Sequence, residues 1–495
     1  MSATTATGST RIAFAIFLRL LGAIYLCAFV SLWVQIEGLV GERGIEPANE
    51  LIIEASRVLE GLDRFHRLPT LYWLHPSDGT LHALCAAGTA LAATATILFA
   101  PAWIYALLWL VYLSLYSIGG VFLRFQWDIL LLETGVLAIL AAPLALLPSR
   151  AAPAAPHWIV RGLLLWLLDR LIFASGAVKL LSGDPSWWHL TALTMHYETQ
   201  PLPTWIGWWV HQLPQTAHVV SCVVMFVIEI LVPPLIVIPG RTRVAAAGLF
   251  LFLQALIALT GNYGFFNLLS VALVVLLVDD RFWPARLHAW ADRAPPRGAW
   301  PLALAAPIAA FLFLHSTTEF LSRFGIGETV FAPLEPIRRE LAPFELTSGY
   351  GLFAMMTTAR QEIVIEGSDD GETWREYRFR WKPGTVDRRP RFVAPHMPRL
   401  DWQMWFAALG DVNQNPWFVR LVIRLLEGSP PVLGLLAENP FPDRPPHLVR
   451  ARLERYRFST LAERRHDGKW WRPTPLGSYL PPVSLEDFVR DPTGP

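Results

Sequence analysis

The chain is poor in charge, cysteine and lysine. Charged residues make up 16% of its 495 residues and hydrophobic ones 53%, with mean hydropathy +0.38. Soluble globular proteins carry about 25% charged residues, so the deficit points to lipid. Cys27, Cys85 and Cys222, the only cysteines, all lie in apolar segments. Their placement excludes a disulfide framework, a CxxC redox pair and a cysteine-based zinc site. The cysteine-free C-terminal part can perform no thiol exchange of its own. Lysine occurs only at Lys179, Lys382 and Lys469 among 41 basic residues. The arginine bias reads as the mark of a GC-rich genome, and a net charge of +1 gives no argument for nucleic acid. No cleavable leader is expected, because the first apolar run, Ile12 to Trp33, is too long for a typical signal h-region. HExxH, GxSxG, Walker and dinucleotide motifs are absent from any usable context. No metal and no cofactor are expected.

What charge there is lies unevenly. Residues 320–495 hold 24 Lys+Arg and 22 Asp+Glu, more than half of the total. The expected fold is therefore a polytopic α-helical membrane domain over residues 1–319, followed by a small soluble α+β domain with antiparallel strands over 320–495. Crossing the hydrocarbon as a helix takes about 20 apolar residues. On that measure there are about nine candidate spans: 12–34, 81–100, 102–120, 126–147, 160–181, 217–238, 244–260, 263–280 and 300–318. Residues 35–79 form a polar insert. Its stretch ANELIIEASRVLEGL spaces Leu51, Ile52, Ala55, Val58, Leu59 and Leu62 as one face of an amphipathic helix lying on the membrane.

Basic residues stay on the cytoplasmic side. With the N-terminus inside, the inner segments hold Arg11, Arg150, Arg161, Arg241, Arg243, Arg281, Arg286, Arg293 and Arg297. The loop 182–216 falls outside and contains no Lys or Arg, yet it is rich in Trp, as suits a translocated segment at the headgroup layer. An odd number of spans then places residues 320–495 outside the cytoplasm.

Ionisable residues within spans are functional candidates by default. Here they are Asp128, Glu133, Asp169, Arg170, Lys179 and Glu229, joined by Asn262 and Asn267. Arg124 and Asp128 are spaced for a local i,i+4 pair, and Lys179 is near enough to the outer surface to snorkel. His189 and His196, like His211 and His218, are two helical turns apart, too far to share a metal directly.

In the polar domain, EIVIEGS and YRFRW alternate as strands around a DDG hairpin signal. NPWFVRLVIRLLEG has helical periodicity, and ARLERYRFSTL and KWWRPTPLGSYLPP read as a returning pair of strands. His396, Arg399 and Asp401 resemble a catalytic cluster. The segment PHMPRLDWQMWF reads better, however, as an extended, proline-flanked stretch docking between sheet and membrane.

The stretches RFQWDILLLETG, HYETQPLPTWIGWW, GNYGFFNLLS, EIVIEGSDDGETW and APHMPRLDWQMWFAAL resemble the lipase maturation factor family, in order and over almost the whole chain. The resemblance implies a polytopic, chaperone-like membrane protein that assists folding and assembly of secreted clients. In eukaryotic members it implies dimeric lipase clients in the endoplasmic reticulum, met by a lumenal C-terminal domain. For a bacterial-type member it implies the inner membrane with the C-terminal domain periplasmic. Partners are then secreted clients and membrane lipids. The expected client-binding residues are Trp205, Trp208 and Trp209 of the loop, with His396, Arg399, Asp401, Trp402, Trp405 and Phe406 of the outer domain. A second resemblance covers one segment only. FASGAVKLLSGDPSWW is similar to a motif of vitamin K-dependent γ-carboxylases, which implies a quinone-linked enzyme with Lys179 as base and Glu133 and Glu229 as partners.

Overall fold

The computed structural model describes residues 10–291, 299–326 and 331–490, so Arg293 and Arg297 lie outside the described residues. Residues up to Ser322 are mostly helical. The long or apolar helices are α1 (Arg11–Trp33), α2 (Asp78–Ile97), α3 (Ala102–Ile118), α4 (Gln126–Ala141), α5 (Trp158–Leu181), α6 (Gln215–Phe226), α7 (Arg241–Thr260), α8 (Phe266–Val275) and α9 (Leu302–Ser322). By length and composition α1, α2, α7 and α9 are each able to cross a membrane, and the bent pair Trp205–His211 and Gln215–Leu231 adds a fifth if it is one span.

The remaining expected spans are shorter or charged, for a packing reason. In α4 and α5, Asp128, Glu133, Arg170 and Lys179 are buried against other helices. A helix surrounded by protein can carry polar groups that a lipid-facing helix cannot. The α1–α2 contact shows how close these helices come. A Cβ on Gly22 would lie 2.7 Å from the backbone carbon of Ala95, so only glycine fits there.

The helical region has two distinct ends. At one, the Arg11 and Ile12 amides donate to Asp280 (2.9 and 3.0 Å), and Arg161, Arg243 and Arg281 surround Asp279. At the other, where α1 finishes, Ser31 and Gln35 bond to Met397 and Arg399 of the C-terminal region. Asp280 and the C-terminal region thus meet opposite ends of a 23-residue helix.

The C-terminal region holds a four-stranded antiparallel sheet of β1 (Arg360–Ser368), β2 (Arg375–Glu376), β3 (Leu448–Phe458) and β4 (Trp471–Val483), in the order β2-β1-β3-β4. Asp370 builds the expected hairpin turn by accepting from the amides of Glu372 and Thr373 (2.9 and 2.8 Å). Helix α11 (Pro416–Leu426) buries Trp417, Leu421, Val422 and Leu425 along one face, as its periodicity predicts.

Three local expectations are corrected. YRFRW is not a strand. Beyond Glu376 the Tyr377 amide still donates to the Ile365 carbonyl (2.9 Å), then pairing with β1 ends, Arg378 forms an isolated bridge with Glu438, and Arg380 turns to the carbonyls of Gly434 and Leu436. The DWQMWF segment is helical rather than extended, as α10 (Arg399–Ala407), entered from the extended Pro398. In the insert the helix covers only Ala48–Ser56, and Val58 and Leu62 lie beyond it, exposed.

Candidate functional site

The candidate site is the seam where the C-terminal region meets the helical region and the loop 182–216. Proline and glycine break this loop into short helices at Pro185–Trp188, Ala192–Thr199 and Trp205–His211. Thr204 caps the last of them by accepting from the Gly207 amide (3.0 Å).

Arg399 is the central bolt of the seam. From the first turn of α10 its guanidinium grips Asp128 of α4 with two bonds, Nη2–Oδ1 2.7 Å and Nη1–Oδ2 2.9 Å. It also donates to the Phe122 carbonyl (2.7 Å), while Tyr112 donates to the same carboxylate. Both charges are fully buried, at 1% and 0% exposure. Asp128 therefore pairs across 271 residues rather than with Arg124, which stays exposed. An exposed i,i+4 pair stabilises by only a few tenths of a kcal/mol, whereas a buried carboxylate must be fully paired.

A second bolt is Glu133. It accepts from Arg170, from the Tyr350 hydroxyl (2.6 Å) and from the Ser348 amide (3.1 Å). Glu133 thus has its own partners and does not serve Lys179. A third is Asn262, which donates to the Arg391 carbonyl (2.9 Å) and accepts from the Val393 amide (2.8 Å).

The loop is clamped from the sheet. Arg360 of β1 donates to the carbonyls of Glu198, Gln200 and Pro201, and its charge is met by Glu362. Glu362 in turn accepts from Lys382 (2.6 Å). Trp405 donates to the Thr199 carbonyl (2.7 Å), so the loop and α10 touch directly.

The aromatic residues expected to bind a client divide by exposure. Trp208 is buried against Trp470, with the Arg464 guanidinium over both rings. Trp402 packs edge-on against Trp127 (centroids 4.7 Å apart) and Trp405 is closed beneath Thr199, so these three build the seam. Trp205 is half-buried beside Phe392 and Arg389. Trp209 and Phe406 remain 49% and 40% exposed and accompany the exposed Leu213 and Leu409.

His396, Arg399 and Asp401 do not converge on one point. Asp401 accepts from the Trp381 and Lys382 amides (both 2.8 Å), and burial pushes its carboxyl up. His396 shares a hydrogen bond with Ser31 of α1 (2.9 Å). Its pKa is lowered to about 4 by burial and then by the charges of Arg399 and Arg380. The ring is therefore a neutral docking contact.

Lys179 does not snorkel. It is buried, and its ammonium lies 2.7 and 3.0 Å from the two carboxylate oxygens of Glu229. Glu229 sits in a π-helical turn, Val227–Leu231, just before Pro233, whose missing N–H leaves the preceding turn free to widen. Gly176 brings the two chains together, since a Cβ there would lie 2.9 Å from that of Glu229. The pair lines a cavity of about 330 Å³ with His196 and Tyr263. Among the described residues no three His, Cys, Asp or Glu side chains gather to hold a metal.

Sequence reasoning found Asp128, Glu133, Lys179, Glu229 and Asn262 as polar groups in apolar surroundings. It missed Tyr112, Tyr350, Gln35 and the Arg360–Glu362–Lys382 group. Tyr112, Tyr350 and Gln35 have no local signature, because they find partners far away in sequence, whereas Arg360 and Glu362 are a near-neighbour pair on β1 that strand alternation places on one face.

Comparison with known proteins covers both regions. The sequence model of the lipase maturation factor transmembrane domain matches residues 12–285, and that of the lipase maturation factor C-terminal domain matches residues 346–481. The chain is 37% identical to mouse lipase maturation factor 2, covering 97% of this chain and 84% of that protein. It is 38% identical to the human form, over 95% of this chain and 82% of that protein. Bovine lipase maturation factor 1 is 31% identical, over 96% and 89%. No solved structure gives a significant match. The carboxylase resemblance around Lys179 gains no support from these matches. With both regions matched in order and the seam joining them, the chain is a member of the lipase maturation factor family.

Proposed function

We propose that this protein is a membrane-anchored maturation factor that holds immature secreted proteins, lipases first among them, on the face carrying the C-terminal region. The observation that carries this reading is the match to lipase maturation factors 1 and 2 over nearly the whole chain. The geometry adds a rigid platform bearing exposed aromatic side chains. Unfinished folds expose apolar surface, and large aromatics bind it at low entropy cost. Trp209 and Phe406 are the side chains available for that role, while Trp205, Trp208, Trp402, Trp405, His396, Arg399 and Asp401 hold the platform in shape. The test is co-expression with a secreted dimeric lipase in cells lacking their own maturation factor. Lipase activity per molecule secreted rises severalfold over vector alone. No rise, with the protein inserted and folded, refutes the reading.

The C-terminal domain, residues 320–495, is read as extracytoplasmic, with about nine crossings before it. Alternating contacts support this count. Helix α2 starts beside the insert, where Asp78 accepts from the Glu42 amide, and ends at the Phe99–Ser149 bridge. In the last turn of α3 Tyr116 donates to Glu345, and α5 carries Arg161, beside Asp279, near its start and Lys179, beside Trp187, near its end. Helix α7 runs from Arg243 back to Thr260 beside the loop. Arg11, Arg161, Arg243 and Arg281 share the opposite end, as basic residues of a cytoplasmic face do. Alkaline phosphatase fused after Gln215 or Glu345 is expected to be active, and fused after Arg243 inactive. An inactive Glu345 fusion overturns this orientation.

A further inference from the structure

The cavity beside Lys179 is not used by the client-holding reading. Its walls come from α5, α6, α7 and α8, from the loop and from Leu352 and Phe353 of the C-terminal region, and most of its surface is apolar, with Leu171, Met225, Leu253 and Ile257 also among its lining. Three lining residues, Leu213, Leu256 and Ser221, are also exposed on the outer surface. Around them α6 and α7 expose further apolar side chains, including Val224, Leu249, Phe252 and Leu259. The mouth therefore opens sideways onto a surface suited to lipid rather than to water. This step rests on the reading that these helices stand in a bilayer.

The size favours one chain. Ligand pockets run from about 300 to 1,000 Å³, and about 330 Å³ lies at the lower end of that range.

The polar groups define the head. An ammonium has three donors, and Glu229 takes two of those on Lys179, leaving one. His196 is fixed by a chain of bonds. The Gln200 amide donates to the Tyr197 and Thr260 carbonyls, which sets its oxygen as the acceptor of the Tyr263 hydroxyl proton (2.8 Å). The Tyr263 oxygen then accepts from His196 Nε2 (3.2 Å). In the neutral ring this leaves Nδ1 as an acceptor, and it has no partner among the described residues. Lys179 thus keeps one donor and His196 one acceptor, while Gln254 and Asn267, which also line the cavity, bond to each other. Lys179 and Glu229 cancel in charge, and no other Lys, Arg, Asp or Glu lines the cavity.

We propose that this cavity binds a neutral single-chain amphiphile bearing both a carbonyl and a hydroxyl, of the monoacylglycerol class, entering from the lipid phase. The Lys179 ammonium donates to the carbonyl and His196 Nδ1 accepts from the hydroxyl. A fatty-acid anion fits less well, because its charge would add to that of Glu229 in a medium of low dielectric.

The test uses the full chain in phosphatidylcholine nanodiscs with a monoacylglycerol carrying a diazirine on its acyl chain, and adducts are mapped by mass spectrometry. Labelling is expected on Met225, Leu253 and Ile257. Unlabelled monooleoylglycerol is expected to compete at least about tenfold better than oleate or octadecene, the hydrocarbon lacking the bonded head and the anion being repelled. Met225→Trp and, separately, Ser175→Phe fill the cavity and are expected to remove most labelling, with melting temperature as the check on folding. Leu251→Trp, on the outer face of α7, is expected to leave it intact. Equal competition by octadecene overturns the assignment of the head. Labelling that persists in both folded filling variants, or is confined to outward residues such as Phe252, overturns the site. A parallel sample with the diazirine on phosphatidylcholine reports embedding. Failure to label Phe252 and Leu259 there overturns the membrane reading and the proposal with it, whereas their labelling alongside a silent cavity overturns the proposal alone.

Discussion

Arg399→Ala is expected to lower stability by about 3–5 kcal/mol, the range for removing one partner of a buried ion pair. Asp128 would be left at 0% exposure with only Tyr112 to support it. The bond to the Phe122 carbonyl would be lost as well. The seam should open before the sheet unfolds, since β1, β3 and β4 do not depend on Asp128. Limited proteolysis is expected to cut near residues 390–398 in the variant and not in the wild type. Asp128→Ala should do the same from the other side. Asp128→Leu with Arg399→Met, which removes both charges and keeps volume, should recover most of the loss, because two apolar groups of similar shape avoid the desolvation cost of an unpaired charge. A double variant as unstable as Arg399→Ala would show that the loss comes from packing rather than from the pair.

The second large effect is at Lys179. Lys179→Met leaves the Glu229 carboxylate buried without its counter-charge, and Glu229→Met leaves the ammonium so. Each single change is expected to cost about 3–5 kcal/mol, read as loss of folded protein in detergent. The double change, Lys179→Met with Glu229→Met, should restore folding and client maturation, because the pair's contribution to the fold is mutual neutralisation. A double variant that is folded yet unable to support lipase activity would contradict this and assign the pair a part in maturation itself.

Much of this architecture is legible in the sequence. The charge-poor part of the chain is mostly helical, and EIVIEGS, ARLERYRF and WRPTPLGSYLPP become β1, β3 and β4. Asp128, Glu133, Lys179 and Glu229 stand out because a charge among apolar residues needs a reason. Their partners were not legible. The i,i+4 rule gives Asp128 to Arg124, but local spacing describes exposed helix surfaces, and Asp128 faces inward toward a residue 271 positions away. Helix α10 is hidden in the sequence because its flanking prolines argue for extended chain. Once past Pro398, the run from Leu400 to Ala407 lays Trp402 and Trp405 into aromatic pockets that stabilise a helix. The alternation in YRFRW is real in burial, with Tyr377 and Phe379 inward, but Arg378 and Arg380 bond to the 434–438 segment in place of a strand. The loop 182–216 reads correctly as aromatic and broken by proline and glycine into short helices. Which of its tryptophans stay exposed depends on Trp470 and Arg464, which only the folded chain brings near.

The claim that the exposed aromatics of this platform hold the client is tested most directly by site-specific photo-crosslinking in cells making a secreted lipase. A photoreactive residue at Phe406 or Trp209 is expected to capture newly made, still inactive lipase, and the adduct should decline as active lipase appears. The same residue at Leu251, on the outer face of α7, should capture none. A protein that matures lipase normally while neither Phe406 nor Trp209 yields an adduct would contradict the account.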